Sequence, residues 1–249
     1  MSSVLSIEIV QQNLRAILEN VVAVSQRANR PTPRLVAVGK TFPASLTEGC
    51  YAAGQRHFGE NYVQELEEKS EQLATSCPEI RWHFIGRVQS NKIKKICEIR
   101  NLWCVETIES QKHCELFQKH SSELGLNLNI FVQVNTSGEE NKGGVEPKEL
   151  SPLVSFILQK CPNLEFKGWT RLMTIGSYGE SQNDEKNSDF ELLCSVRTDL
   201  CEQLKLSTDN VELSMGMTND YELAIRYGST NVRVGSAIFG SRHYPNKST

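Results

Sequence analysis

Arg34-Leu35-Val36-Ala37-Val38-Gly39-Lys40 is the stretch on which the fold turns. Small and branched apolar residues follow one another there without a polar interruption. That is the pattern of a parallel strand covered on both faces, not of an antiparallel strand with one wet side. The run ends on a lysine, which a barrel strand would deliver to the mouth where active sites are built.

Outward from this run, short apolar stretches alternate with amphipathic ones. Before it, Ile7, Val10, Leu14, Ile17, Val21 and Val24 recur at spacings of three and four, which predicts a helix of about six turns ending before Pro31. After it, the pattern predicts a short helix from Pro43 to Gly54, a strand at Arg56-His57-Phe58-Gly59, and a helix capped by Asn61 with Gln64 three residues on. Strands are predicted at Trp82-His83-Phe84-Ile85, from 102 to 106 and from 128 to 135, with helices over 89–98 and 110–124 between them. Pro147 opens a helix whose face is Leu150, Leu153, Val154, Ile157 and Leu158. A sixth strand falls within 164–175, and the polar stretch 176–188 reads as a loop. Phe190, Leu193, Val196, Leu200 and Leu204 mark a helix, Val211-Glu212-Leu213 a strand, Thr218 the cap of a short helix ending at Gly228, and 230–234 the last strand.

Eight strands alternating with helices predict an α/β protein, a single-domain (β/α)8 TIM barrel over residues 1–249 with an additional N-terminal helix. An open doubly wound sheet would carry a glycine-rich fingerprint after its first strand, where Lys40-Thr41-Phe42-Pro43 stands instead.

The net charge of -3 over 249 residues gives no electrostatic reason to expect nucleic acid, and the cluster Lys92, Lys94 and Lys95 reads either as a patch facing an anion or as the wet side of a helix, the latter favoured. Eight cysteines, with no C-x-x-C pair and no zinc spacing, read as core fillers in a reducing compartment. There is no apolar stretch long enough for a membrane and no signal-peptide pattern, so a cytoplasmic protein is expected. Arg15, Arg27 and Arg30 leave room for a mitochondrial fraction, against which Glu8 and Glu19 argue.

The strand ends bring polar, glycine-rich segments to one mouth. Lys40 reads either as a lysine that snorkels to water or as an imine-forming amine. Asn231-Val232-Arg233-Val234-Gly235-Ser236 runs into a turn of the kind whose backbone N–H groups hold phosphate, and this favours the second reading. Together they suggest pyridoxal 5'-phosphate. In that reading Ser214 and Ser236 donate hydroxyls to the phosphate, while Gly216 and Gly235 let the backbone approach. Arg233 faces either outward to a helix or inward to the pyridine nitrogen, where its cation would weaken the ring as an electron sink. His83 reads as a ring neighbour or a satisfied core histidine, Asn61 as a ligand contact or a cap, and Met215 and Met217 as ring packing or core filler. No metal-ligand set and no G-x-S-x-G elbow is present.

The chain resembles the pyridoxal phosphate homeostasis protein family, also called the proline synthase co-transcribed family. The resemblance rests on Ala37-Val38-Gly39-Lys40-Thr41, Phe58-Gly59-Glu60-Asn61-Tyr62-Val63-Gln64-Glu65, Trp82-His83-Phe84-Ile85-Gly86, Val134-Asn135-Thr136-Ser137-Gly138-Glu139, Leu172-Met173-Thr174-Ile175-Gly176, Leu213-Ser214-Met215-Gly216-Met217 and the run from Gly228 to Gly240. Cys77-Pro78-Glu79-Ile80 makes it most similar to the eukaryotic branch. The resemblance implies a barrel like the amino-terminal domain of alanine racemase, pyridoxal phosphate on Lys40, phosphate near Ser214, Gly235 and Ser236, and Arg233 facing the pyridine nitrogen. It implies binding, buffering and delivery of the cofactor to apo-enzymes by a monomer, with no established reaction. This chain departs from the family pattern at Gly39, where a serine is usual, at Val88, where a leucine is usual, and at Trp169-Thr170-Arg171, three residues inserted after Gly168.

A racemase-like enzyme would need a second acid or base over the substrate, a group that the resembled racemase takes from its carboxyl-terminal domain. This chain ends at Thr249, with Tyr244 in a tail that has no evident scaffold, so a carrier is expected and not a catalyst. A cofactor-free Schiff-base aldolase and an interaction protein with a vestigial site are the other readings.

Overall fold

The structure is a computed structural model describing residues 6–139, 142–165, 170–176 and 186–241. Helix α1 (Ile7–Arg27) starts on Ser6, whose hydroxyl accepts from the Ile9 amide at 3.3 Å, and it stops where Asn29 turns left-handed ahead of the prolines. The alternation follows: β1 (Arg34–Val38), α2 (Ala44–Ala52), β2 (His57–Glu60), α3 (Val63–Gln72), β3 (Arg81–Phe84), α4 (Ile93–Cys97), β4 (Leu102–Ile108), α5 (Gln111–Glu123), β5 (Leu128–Gln133), α6 (Pro147–Lys160), β6 (Leu164–Glu165), β7 (Thr170–Met173), α7 (Ser188–Leu204), β8 (Val211–Ser214), α8 (Tyr221–Arg226), β9 (Asn231–Val234) and α9 (Ser236–Phe239).

Every strand pairing is parallel, and the order β4-β3-β2-β1-β9-β8-β7-β5 closes through β4 and β5 into an eight-position barrel. Outward side chains such as Leu35, Phe58, Trp82, Val105, Ile130, Leu172 and Val232 join the helices in one core. Their alternating neighbours face the lumen. There Cys104, Phe131 and Met173 form a small apolar cluster beside the buried polar groups His83, Glu106, Ser214, Asn231 and Arg233.

The sixth strand, expected within 164–175, is described over two segments. It comes as two pieces, β6 beside Leu128 and Asn129, and β7 beside Val132 and Gln133 of β5. Between the pairs Asn129–Glu165 and Val132–Leu172, β5 advances three residues and its partner seven, so the register between the two changes by four. An even excess keeps side-chain alternation in phase, which is why Met173 still faces the lumen beside Ser214. Of the inserted residues, Trp169 lies outside the described set. Arg171 pairs with Glu212 at 3.4 Å, and Arg34 takes the same carboxylate at 2.9 Å while lying over Trp103. These charges close the base of the barrel.

Two expected caps are absent. Helix α3 begins after Tyr62 without a side-chain cap, so Asn61 does not serve it, and α8 begins after Asp220, so Thr218 does not serve that helix. All eight cysteines are free, and burial pushes the thiols of Cys50 and Cys97 up to about 12, as expected of unreactive fillers. Among the described residues, no helix is long and apolar enough to cross a membrane.

Candidate functional site

The first and last strands are neighbours. Val36 pairs with Arg233 and Ala37 with Val234, so the turn after β1 and the turn after β9 lie side by side at the mouth. Lys40 is half-buried in the first turn and Ser236 is exposed in the second. Phe42 stacks on Phe239 with ring centres 5.7 Å apart, tying the two turns together. A Cβ on Gly235 would stand 3.3 Å from the Val38 carbonyl oxygen, so only a residue without one fits there freely. The Gly235 amide donates to Thr218 Oγ1 at 3.2 Å, which brings the end of β8 into the same corner. Sequence reasoning did not place Thr218 in this corner, because a threonine ahead of a short helix also reads as its cap. The backbone amides of Ser236 and Ala237, in the first turn of α9, have no acceptor within their own helix.

Below this corner lies Arg233, facing inward as one of its two readings required and almost fully buried. Its Nη1 donates to Ser214 Oγ at 2.6 Å and its Nη2 to the Thr174 carbonyl at 2.8 Å. Burial lowers the Arg233 pKa against the opposing charges of Glu106 and Asp220, yet a guanidinium keeps its proton in a protein. Ser214 gives its one proton to Glu106 Oε2 at 2.6 Å and accepts from Arg233 and, at 3.0 Å, from Asn231. Its hydrogen-bonding capacity is then complete. Glu106 Oε1 also takes His83 Nδ1 at 2.6 Å, and His83 Nε2 lies 2.8 Å from His57 Nδ1.

The charges in this chain follow from burial and neighbours. Burial alone would raise the Glu106 carboxyl, but the hydrogen bonds from His83 and Ser214 and the charge of Arg233 outweigh it and hold the group low, as an anion. Burial lowers His83 despite Glu106, and burial above all, with the Arg34 and Arg81 charges, brings His57 down to about 2. Both rings are therefore neutral, and one tautomer of each satisfies the chain: His57 Nδ1–H to His83, and His83 Nδ1–H to Glu106. His83, Cys104 and Glu106 come close enough to suggest a metal triad, but both His83 nitrogens are already engaged by Glu106 and His57.

The structure thus sorts the expected residues. Lys40, Gly235 and Ser236 lie on the two adjoining turns at one corner of the mouth, and Arg233 lies below it. Ser214 lies beneath them, with no hydroxyl proton left for a phosphate. Gly216 has φ 94°, and a Cβ there would come within 2.5 Å of the Ala224 Cβ, so its role is the turn that carries β8 toward Thr218. Met215 points the opposite way from Ser214, into the outer core, and is filler. His83 is sealed in the lumen against Trp103 and His57, away from any ring at the mouth. Asn61 remains at the rim beyond β2, with its carbonyl packed on Gly86 and its Oδ1 buried without a partner.

Residues 12–243 match the family model for the alanine racemase N-terminal domain. The pyridoxal phosphate homeostasis protein of Caenorhabditis elegans is 55% identical over 249 residues, covering 98% of this chain and 100% of that protein. This chain belongs to the pyridoxal phosphate homeostasis protein family. The Homo sapiens family member is 47% identical over 244 residues, covering 95% of this chain and 88% of that protein. Among solved structures, the family member PipY of Synechococcus elongatus with pyridoxal phosphate bound superposes with a TM-score of 0.73 at 30% identity, over 93% of this chain and 100% of that one.

The residues present suit the family's ligand. A dianionic phosphate would find Thr218, Ser236 and first-turn amides at one corner, and a buried cation, Arg233, lies a short way down the same wall. A lysine stands on the adjoining turn.

Proposed function

We propose that this chain binds pyridoxal 5'-phosphate at the barrel mouth, holds it reversibly through Lys40 as a Schiff base, and serves vitamin B6 homeostasis by custody and delivery. What supports this most is the meeting of the Lys40 turn with the Thr218, Gly235 and Ser236 corner, directly above Arg233. The bound cofactor supplies a carbonyl for a lysine and a ring that can accept electrons. Thr218, Ser236 and the amides of α9 would hold the phosphate, and Arg233 would face the ring nitrogen. A permanent cation there leaves the nitrogen unprotonated and weakens the electron sink that racemisation or transamination draws on. Ser214, Asn231 and Glu106 keep that cation in place from below.

Custody is therefore favoured over turnover, and PLP-dependent apo-enzymes are the recipients in this reading. A reducing, cytoplasmic setting agrees with eight unpaired cysteines. The test is titration with pyridoxal phosphate, borohydride trapping with mapping of the adduct, and transfer to an apo-enzyme across a small-molecule trap. The expected result is a yellow complex, an adduct on Lys40 and transfer that outruns the trap. A colourless protein that traps no adduct would end the proposal, and rapid exchange of the Cα proton of an L-amino acid, lost in Lys40→Ala, would turn it toward the racemase-like enzyme.

A further inference from the structure

Lys69 of α3 is an unusual lysine, because its ammonium is buried and each of its three N–H groups has an acceptor. These are the Gly39 carbonyl at 2.8 Å, Glu60 Oε1 at 2.7 Å and Glu65 Oε1 at 2.7 Å. The same Glu65 oxygen accepts from the Thr41 amide at 2.6 Å. Gly39 C=O belongs to the peptide before Lys40, and Thr41 N–H belongs to the peptide after it. Both peptide planes flanking the Lys40 Cα are thus held from one turn of α3.

The turn needs such holding. Thr41 sits at φ 69°, in the left-handed region that a threonine avoids unless its surroundings impose it. Gly39 adds no side chain, and a Cβ there would lie 3.2 Å from Glu60 Oε1 and 3.3 Å from Thr47 Oγ1. Glu60 Oε2 and Thr47 Oγ1 are both buried without a partner, so no hydroxyl at position 39 helps to fix the strand end. Buried ion clusters of this kind add little net stability over apolar packing, and their best-attested use is to specify a geometry.

We propose that Lys69 is a positioning residue for Lys40: acting through Gly39 and through Glu65, it sets the backbone on both sides of Lys40 and so aims the amine at the corner occupied by Thr218 and Gly235. The role rests on the cofactor reading above. Glu65 is the second half of the same clamp, and Glu60 holds the ammonium from the β2 side.

The experiment measures the rate at which the full chain forms a borohydride-trapped pyridoxal phosphate adduct on Lys40. In parallel, the cofactor-free chain is labelled with acetic anhydride and Lys40 acetylation is followed by mass spectrometry. In Lys69→Met, adduct formation is expected to slow by about tenfold or more, the loss typical of a misplaced reacting group, with the pH profile of loading displaced and the acetylation rate changed. Lys69→Arg, which keeps a cation with several donors, is expected to recover part of the loading rate. Should Lys69→Met not fold, Glu65→Gln takes its place, since it weakens the Thr41 anchor while leaving Lys69 on Glu60. Wild-type loading and acetylation in a folded Lys69→Met, or in Glu65→Gln, would overturn the positioning role. A wild-type chain that traps no adduct overturns the cofactor reading itself, and the positioning role with it.

Discussion

The hydroxyl of Ser214 donates to Glu106 across the barrel lumen at 2.6 Å, which leaves Ser214 facing Arg233 with lone pairs only. Ser214 thereby holds a guanidinium by its oxygen. Anchored to a carboxylate that also holds His83 and Asn231, it passes a buried negative charge toward a buried positive one through a single oxygen.

Ser214→Ala leaves Glu106 Oε2 and Arg233 Nη1 each short of a partner in a dry interior. The expected cost is about 1–3 kcal/mol of stability, read by chemical denaturation. Because the loss acts through Arg233, affinity for pyridoxal and for pyridoxal phosphate should fall by the same factor. A loss confined to the phosphorylated form would return Ser214 to the phosphate.

Thr218→Val keeps the shape of the side chain and removes the oxygen that meets the Gly235 amide. Here the loss should depend on the phosphate. Pyridoxal phosphate affinity is expected to weaken by at least about tenfold, in line with the 1.5–3 kcal/mol of a hydrogen bond to a charged group, while pyridoxal is unaffected. Absorbance titrations with both ligands measure this directly.

The Glu60 carboxyl is pushed up to about 7, chiefly by burial, with Lys69 opposing, Glu65 adding to the rise and Lys40 opposing. Between its ordinary value near 4.5 and about 7 the folded chain holds a proton that the unfolded chain has released. Stability from this group is therefore complete at acid pH and declines as pH rises through that window, by on the order of 3 kcal/mol. Glu60→Gln does not titrate, so its denaturation midpoint should change less than that of the wild type between about pH 5 and about pH 8. An equal slope in both proteins would mean that other groups set it.

Gly86→Ala tests how closely β2 and β3 approach at the mouth. Its Cβ would stand 1.9 Å from the Asn61 carbonyl oxygen and 2.9 Å from the Asn61 Cα, and backbone cannot move aside as a flexible side chain does. A loss of about 3 kcal/mol or more is expected, seen as a lower melting temperature or as insoluble protein. A variant as stable as the wild type would show that the two strand ends can part.

Much of the fold was legible because a barrel strand buries both faces and leaves a continuous apolar run, as in Leu35 to Val38, while each covering helix leaves a three-four spacing. The change of register between the Asn129–Glu165 and Val132–Leu172 pairs was not, since a register change carries no periodic mark. Met215 was legible in principle, for if Ser214 faces the lumen, strand alternation turns Met215 outward. Thr218 was hidden because cap and ligand contact call for the same residue type at the same place. Lys69 was hidden more deeply. With Glu65 four residues before it, the pair reads as an exposed helix salt bridge, and only packing against the end of β1 shows a buried ammonium on the Gly39 carbonyl.

By itself the sequence determined the alternation of strands and helices, the lysine at one strand end and the glycine turn at the other, because these depend on local periodicity and residue type. Only the tertiary structure decided which groups share the site. Pairing β1 with β9 brings residues almost two hundred positions apart onto adjoining turns, and burial in the lumen, where a low dielectric strengthens each hydrogen bond, fixes which donor meets which acceptor.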